Sequence, residues 1–164
     1  MGKALVCYFS QFGSTEAFAN NIVAKLQADG REVDVFKITP VVPYPDDYDM
    51  CLSKAMEDRA MMERPEYVGD VDLSQYQTVF LGYPIWCSDM PMIIYNFLEK
   101  HTFTDIRLYP FCTHGGTGDA GTFTNLGNLA VGAVRKEGLA IESKLAKLDG
   151  GKKQAEYWVD QAEV

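Results

Sequence analysis

The sequence is poor in the residues that build metal centres. It has two histidines, which are far apart, and four cysteines that form no Cys-x-x-Cys pair. These residues are His101, His114, Cys7, Cys51, Cys87 and Cys112. Structural zinc sites place such ligands in closely spaced pairs, so we predict no metal site. Unpaired cysteines also favour a reducing compartment, and we expect a cytoplasmic protein.

Positive charge is scarce as well. The chain has 15 lysines and arginines against 23 aspartates and glutamates, a formal net charge of −8. Nucleic-acid-binding proteins usually present a basic surface, so this balance argues against a nucleic-acid partner. The acidic surplus fits an ordinary soluble protein and also a protein steered toward basic partners, and composition does not separate the two.

Long hydrophobic runs are missing too. No segment approaches the roughly 20 apolar residues that a membrane helix needs, so we expect no membrane association. Met1, Gly2 and Lys3 lead into a short apolar run without the small-residue cleavage site of a secretory signal. With 164 residues, 47% of them hydrophobic, the chain is predicted to form a single domain, residues 1–164, with a real core.

The chain does contain an alternation of apolar runs and helical stripes. Apolar runs at residues 4–9, 33–38, 78–83, 107–113 and 139–144 predict five strands, with Pro110 expected near the start of the fourth. Five helices are predicted after these strands. They are one containing Phe18, Ile22 and Leu26, one over residues 47–63, one that begins at Pro91, one with an apolar face from Leu126 to Val134 that stops before Gly138, and one that follows Gly150 and Gly151. The alternation predicts an α/β fold, a doubly wound parallel sheet with helices on both faces.

Three loops of unusual composition follow predicted strand ends, at residues 10–15, 84–89 and 113–121. Ligands of open α/β sheets bind beyond the carboxyl ends of the strands, so these loops are the candidate site. The first loop has three hydroxyls and a glycine at the start of a helix, where free N–H groups suit a phosphate. Simple N-capping by Ser14 or another hydroxyl explains the same composition equally well.

Single missing residues argue against three classes of phosphate-handling protein. The first loop has no lysine or arginine, which a Walker loop requires. A cysteine phosphatase of similar fold needs an arginine six residues after its cysteine, but the residue six positions after Cys7 is Gly13. A response regulator needs an aspartate at the end of the third strand, and residues 81–83 include none.

The other two loops suit a flat ligand. Trp86 lies among turn residues, so it is a candidate aromatic platform, with a core position as the ordinary alternative. Gly116, Gly118 and Gly121 match the Gly-x-Gly-x-x-Gly pattern, but a dinucleotide fingerprint normally follows the first strand and this one follows the fourth. We interpret these glycines as allowing backbone to approach a ligand closely.

Together these segments resemble the flavodoxin family over essentially the whole chain. A strand-Tyr-Phe-Ser loop, a Gly-Tyr-Pro-Ile-Trp segment and a Thr-His-Gly-Gly segment occur in the right order at residues 8–10, 82–86 and 113–116. The resemblance implies a five-stranded parallel sheet in the order 2-1-3-4-5 with FMN at its carboxyl edge. It implies a phosphate loop of Ser10, Gln11, Phe12, Gly13, Ser14 and Thr15, a border of the isoalloxazine formed by Pro84, Ile85, Trp86, Cys87 and Ser88, and a lining of the other ring side and the ribityl chain by Thr113, His114, Gly115, Gly116, Gly118 and Asp119.

The chain departs from the family pattern at three places. Phe12 stands where the phosphate loop usually has a threonine, so one hydroxyl contact is lost or replaced by backbone N–H. Residues 113–121 include no aromatic side chain to cover a second flavin face. The loop after the third strand lacks the glycine that often flips its peptide toward the flavin in electron carriers.

Two functions therefore stay open. The resemblance and the acidic composition favour a low-potential electron carrier between redox partner proteins, a reductase and an acceptor. The uncovered flavin face would instead suit an FMN-dependent NAD(P)H oxidoreductase acting on quinones or similar acceptors. In that case His114 is a candidate to hydrogen-bond a substrate oxygen, although an ordinary polar loop residue is an equal explanation. We assign no catalytic residue.

Overall fold

The computed structural model describes residues 2–164, in which strands and helices alternate along the chain. The elements are β1 (Lys3–Tyr8), α1 (Ser14–Ala28), β2 (Val33–Lys37), α2 (Tyr48–Ala60), β3 (Tyr76–Pro84), α3 (Met92–Lys100), β4 (Arg107–His114), α4 (Thr122–Leu129), β5 (Val134–Arg135), β6 (Leu139–Glu142), α5 (Ser143–Ala146) and α6 (Asp149–Gln161). No helix in this described part is long and apolar enough to cross a membrane.

The strands form one sheet in the order β2-β1-β3-β4-β5, and every pairing is parallel. This confirms the predicted flavodoxin-like topology. The fifth position is divided, because β5 pairs with the beginning of β4 and β6 pairs with its end. Parallel strands need crossover connections, which helices supply on both faces.

Two hydrophobic clusters, one on each face, hold the helices to the sheet. Phe18 and Ile22 of α1 pack with Trp158 of α6 and with Phe80 of β3. On the other face the buried residues of α3, such as Phe97, pack with those of β1, β3 and β4. The central strands are buried on both sides, which is why their sequences are continuous apolar runs.

Pro110 lies in the middle of β4, so the expectation that it lies near the start of the strand was wrong. On the outer side of β4, the carbonyl of Leu108 accepts the N–H of Lys136 at 3.0 Å, and alternation turns Pro110 to the same side. The pairing with β5 ends at Leu108 and the pairing with β6 begins at Phe111. Pro110 therefore occupies a gap in the ladder, where a missing N–H breaks no hydrogen bond.

The predicted helical face from Leu126 to Val134 was also wrong in its second half. The helix α4 ends at Leu129, and Gly132 takes a left-handed conformation with φ 83°. Three backbone hydrogen bonds of 2.8–3.1 Å then join residues 131–134 to residues 103–106. These long-range bonds replace the helical ones and turn the segment into β5.

The last predicted strand and the last predicted helix have different bounds in the structure. The strand β6 ends at Glu142, because the chain turns there into α5. The final helix begins at Asp149, so Gly150 and Gly151 lie within its first turn and not before it. A Cβ on Gly151 would overlap the carbonyl oxygen of Leu145, so glycine allows α6 to start in contact with α5.

Gly82 offers a test of this packing. A Cβ at this position in β3 would overlap the ring of Phe111 on the neighbouring strand. We expect Gly82→Ala to lower the free energy of unfolding by about 1–3 kcal/mol or more, as overpacking does. The measurement is urea unfolding of the cofactor-free protein. Gly115→Ala is the matched control, since nothing lies within 4 Å of its Cβ; equal midpoints for the two variants would contradict the packing described.

Candidate functional site

A cleft of about 250 Å³ opens at the edge of the sheet where β1, β3 and β4 end. Because these strands are parallel, the loops that follow them meet at this edge although they are far apart in sequence. All three loops predicted from the sequence line the cleft. The lining residues are Ser10, Gln11, Phe12, Ser14, Thr15, Tyr48, Pro84, Ile85, Trp86, Thr113, His114, Gly115 and Ser143.

Six predicted residues belong to these loops but do not line the cleft, and two lining residues were missed. The six are Gly13, Cys87, Ser88, Gly116, Gly118 and Asp119. The missed residues are Tyr48, which begins α2 after the long loop that follows β2, and Ser143, which directly follows β6. Both come after carboxyl ends of strands, so applying the loop rule to all five strand positions would have found them.

The first loop is fixed by contacts around its margin. The hydroxyl of Ser10 accepts the N–H of Glu16 at 3.1 Å, and the side-chain amide of Gln11 donates to the carbonyl of Pro45 at 3.2 Å. Gly13, at φ 96°, is the N-cap of α1, and its carbonyl accepts the N–H of Ala17 at 3.0 Å. Ser14 therefore does not cap α1, whereas another hydroxyl, that of Ser10, accepts one N–H of its first turn.

These contacts leave the N–H groups of the first loop unpaired. Within the described part of the chain, the backbone N–H groups of residues 11–15 donate to no acceptor. Free N–H groups at a helix start carry partial positive charge and bind anions. The loop therefore fits a phosphate through neutral donors.

The hydroxyl of Thr15 has a second role that the sequence did not indicate. It lies 2.7 Å from the hydroxyl of Thr113 at the end of β4, and both residues are 1% exposed. This hydrogen bond joins the first loop to the third. A pair of hydroxyls uses only one of its two hydrogens in such a bond, so the other hydrogen stays free to donate to a ligand.

The second loop contains a tight two-residue turn. The N–H of Trp86 donates to the carbonyl of Asp89 at 2.9 Å, and the N–H of Asp89 donates back at 3.0 Å. Cys87 and Ser88 between them have φ values of 52° and 60°, which glycine or asparagine usually supplies.

The carboxylate of Asp89 stabilises this turn. It accepts hydrogen bonds from the N–H of Met90, from the hydroxyl of Tyr95 and from the guanidinium of Arg59.

The aromatic side chains at the cleft are arranged differently from the expected platform. Trp86 is only 5% exposed, and its ring packs edge-on against Phe9 and Tyr44 beneath the cleft. Two other aromatic side chains are open: Tyr48 is 60% exposed and Phe12 is 40% exposed, with ring centroids 5.5 Å apart. Tyr48 is therefore the lining residue best suited to contact a planar ring.

The third loop is organised by His114. Its Nδ1 accepts the N–H of Gly116 at 3.0 Å and the N–H of Gly118 at 3.2 Å. Nδ1 is therefore unprotonated, and the hydrogen of the neutral ring is on Nε2. Gly116 and Gly118 adopt left-handed conformations around the imidazole, which glycine allows at little cost.

No thiol near the cleft is activated. Burial raises the pKa of Cys112 to about 12, and Asp119 adds to the rise. Burial also raises the pKa of Cys87, with the Arg59 guanidinium opposing and Asp89 adding. Nucleophilic chemistry needs a thiolate, so these two thiols are poorly suited to it. The described residues also contain no cluster of three or more metal-type ligands.

The residues present fit the flavin mononucleotide expected from the sequence. The unpaired N–H groups of residues 11–15 suit its phosphate. Ile85 and Tyr48 offer apolar surface to its ring system, and Gly115 leaves room for a close approach. The cleft thus offers both polar donors and apolar surface.

Comparisons with known proteins agree with this arrangement. A model of a family described as Flavodoxin matches residues 3–162. A search of curated proteins found no match. Among solved structures, a protein assigned as a flavoprotein from Bacteroides eggerthii has 30% identity and a TM-score of 0.76, over 98% of this chain and 97% of the other.

Two more distant structures share the fold. A flavoprotein from Lactobacillus acidophilus, solved in complex with FMN, has 16% identity and a TM-score of 0.69 over 88% of this chain and 96% of its own. A protein assigned as a quinone reductase from Klebsiella pneumoniae has 16% identity and a TM-score of 0.58 over 98% of this chain and 83% of its own.

The hydroxyl pair of Thr15 and Thr113 gives a double-mutant test. Thr15→Val leaves the Thr113 hydroxyl buried without a partner, so we expect a loss of about 1–3 kcal/mol in unfolding free energy and weaker FMN binding. Thr15→Val/Thr113→Val removes both hydroxyls and should recover most of the stability. Urea unfolding and FMN titration measure the two effects. If the double variant also recovers full FMN affinity, the Thr15 hydroxyl does not contact the phosphate.

Tyr48 gives a test of the apolar surface offered to the ring. We expect Tyr48→Ala to weaken the binding of FMN and riboflavin equally, by about 0.5–1.5 kcal/mol, since both carry the same ring. The visible flavin spectrum should shift as well. Tyr157→Ala on α6, where the side chain is 70% exposed, is the matched control and should change neither. Unchanged affinity and spectrum in Tyr48→Ala would remove Tyr48 from the ring site.

Proposed function

The chain belongs to the flavodoxin family, and we propose that it acts as a low-potential electron carrier that passes electrons singly between a reductase and an acceptor protein. FMN, the expected cofactor, is supported by the family and by the FMN complex of a relative with the same fold. Bound FMN supplies reversible one-electron and two-electron chemistry. The protein then supplies binding, orientation and the electrostatic environment.

The observation that carries the proposal is a row of exposed carboxylates, here called the acidic mouth, on either side of a residue that lines the cleft. Asp46, Asp47 and Asp49 are all exposed and flank Tyr48, which lines the cleft. Asp47 also caps α2, since its carboxylate accepts the N–H of Met50 at 3.0 Å. The three charges are part of the acidic surplus that gives the chain its net charge of −8.

Negative charge at this position has two consequences for an electron carrier. An electron added to the ring brings more negative charge, so nearby carboxylates disfavour reduction and lower the potential. The same charges attract a partner protein with a basic surface and speed its association. They repel NAD(P)H, which is itself a polyanion. The acidic mouth thus favours a protein partner over a nicotinamide substrate.

An FMN-dependent NAD(P)H oxidoreductase acting on quinones is the second candidate. It is favoured by the third loop, in which residues 113–121 bring no aromatic ring to the cleft and leave access for a substrate. His114 lines the cleft with the hydrogen of its neutral ring on Nε2, a donor suited to a carbonyl oxygen. The fold is also shared with the protein assigned as a quinone reductase.

Anaerobic mixing experiments separate the two functions. We expect FMN-loaded protein to keep its visible flavin absorption for seconds after addition of NADH or NADPH, with or without a quinone. Photoreduction should instead proceed in two resolved one-electron steps. Rapid bleaching by NAD(P)H followed by many quinone turnovers would overturn the carrier function in favour of the reductase.

Variants of the acidic mouth test its electrostatic role, with the flavin potentials measured during photoreduction. Asp46→Asn/Asp49→Asn spares the capping Asp47, and we expect it to raise the potential of the second electron by roughly 20–40 mV per charge at a separation of about 10 Å. Glu156→Gln on α6 is the control for lost charge elsewhere and should change the potential less. Equal potentials in the two variants would show that the mouth does not tune the flavin.

A further inference from the structure

Lys147 brings a positive charge to the first loop from near the other end of the chain. It follows α5 as its C-cap, and its Nζ donates to the carbonyl of Phe12 at 3.1 Å. A Cβ on Gly13 would lie 3.5 Å from the same Nζ. The ammonium therefore lies against residues 12 and 13 of the first loop, and Lys147 itself is not one of the residues that line the cleft.

Among residues 2–164, no acidic side chain neutralises the charge of Lys147. In the described part of the chain its ammonium forms no ion pair, whereas Lys144, three residues earlier, pairs with Glu142 at 3.3 Å. An ammonium has three donor hydrogens, and the carbonyl of Phe12 takes only one of them. In a chain of net charge −8, this unpaired cation lies at the one loop that is built for an anion.

We propose that Lys147 is a phosphate-binding residue that supplies the positive charge of the FMN site. The inference rests on FMN binding in the cleft and does not depend on whether the protein is a carrier or an enzyme. Phe12 deprives the loop of a hydroxyl donor, and the N–H groups of residues 11–15 are neutral. Lys147 compensates with a charged donor, which binds a phosphate more strongly than a neutral one.

The position of Lys147 also determines how its contribution to FMN binding depends on salt. The residue is exposed, so its interaction with a phosphate is screened by added salt, unlike hydrogen bonds from neutral backbone N–H groups. Riboflavin lacks the phosphate and should not respond to this residue. A lysine that only tethers the loop through the carbonyl of Phe12 would give an effect independent of salt.

The test compares FMN and riboflavin titrations of the cofactor-free protein at low and high sodium chloride. We expect Lys147→Met to weaken FMN binding about tenfold at low salt and much less at high salt, with riboflavin affinity unchanged. Lys147→Arg keeps the charge and should retain most of the FMN affinity. Lys144→Met removes a lysine that has its own partner and should change neither ligand.

Each other outcome overturns the inference in a distinct way. A wild-type protein that binds FMN no better than riboflavin would overturn the phosphate loop together with the role of Lys147. A wild-type preference for FMN that Lys147→Met leaves intact would overturn the role of Lys147 in phosphate binding and leave the phosphate loop standing. A loss that persists undiminished at high salt, or that affects riboflavin equally, would show a tether or a folding defect; thermal unfolding of the apo variant identifies the latter.

Discussion

The parallel pairing of β1, β3 and β4 is the constraint on which the rest of the structure depends. Parallel strands bring their carboxyl ends to one edge, and this places loops from residues 10–15, 84–89 and 113–121 around one cleft. Burial of the strands on both faces fixes their register. The hydrogen bond between Thr15 and Thr113 then ties the first loop to the third across 98 residues of sequence.

Charges of both signs lie around the first loop of this acidic protein. Lys147 brings an ammonium to the carbonyl of Phe12 in a molecule of net charge −8. Asp46, Asp47 and Asp49 are exposed on the segment that contacts the same loop, since the ring of Tyr48 lies 5.5 Å from that of Phe12. The free N–H groups of residues 11–15 offer neutral donors to an anionic phosphate, so the loop can bind it without a basic surface.

Continuous apolar runs and turn residues, which are local signals, were sufficient for the alternation of strands and helices and for the three loops, whereas the strand order came from the resemblance to a known family. The local signals failed where a long-range contact decides the local structure. Residues 131–134 form no helix because they pair with residues 103–106, and Pro110 is tolerated in mid-strand because β5 ends beside it.

The same limit applies to the side chains of the site. Trp86 is predicted to be an aromatic platform and does line the cleft, but its ring packs against Phe9 and Tyr44 and is only 5% exposed. The exposed ring of Tyr48 reaches the cleft from a different loop. The first loop has no basic residue of its own, and only the tertiary structure brings Lys147 to it across 135 positions. No single-sequence pattern encodes such a distance.

The most direct test of the central claim is a ¹H–¹⁵N NMR titration of the cofactor-free protein with FMN. If the cleft at the carboxyl edge binds FMN by its phosphate, the amides of residues 11–15 should show the largest shifts, followed by Gly115 and the residues around Tyr48. Largest shifts instead around the separate cavity lined by Val42, Lys54 and Arg64, with the amides of residues 11–15 unmoved, would contradict it.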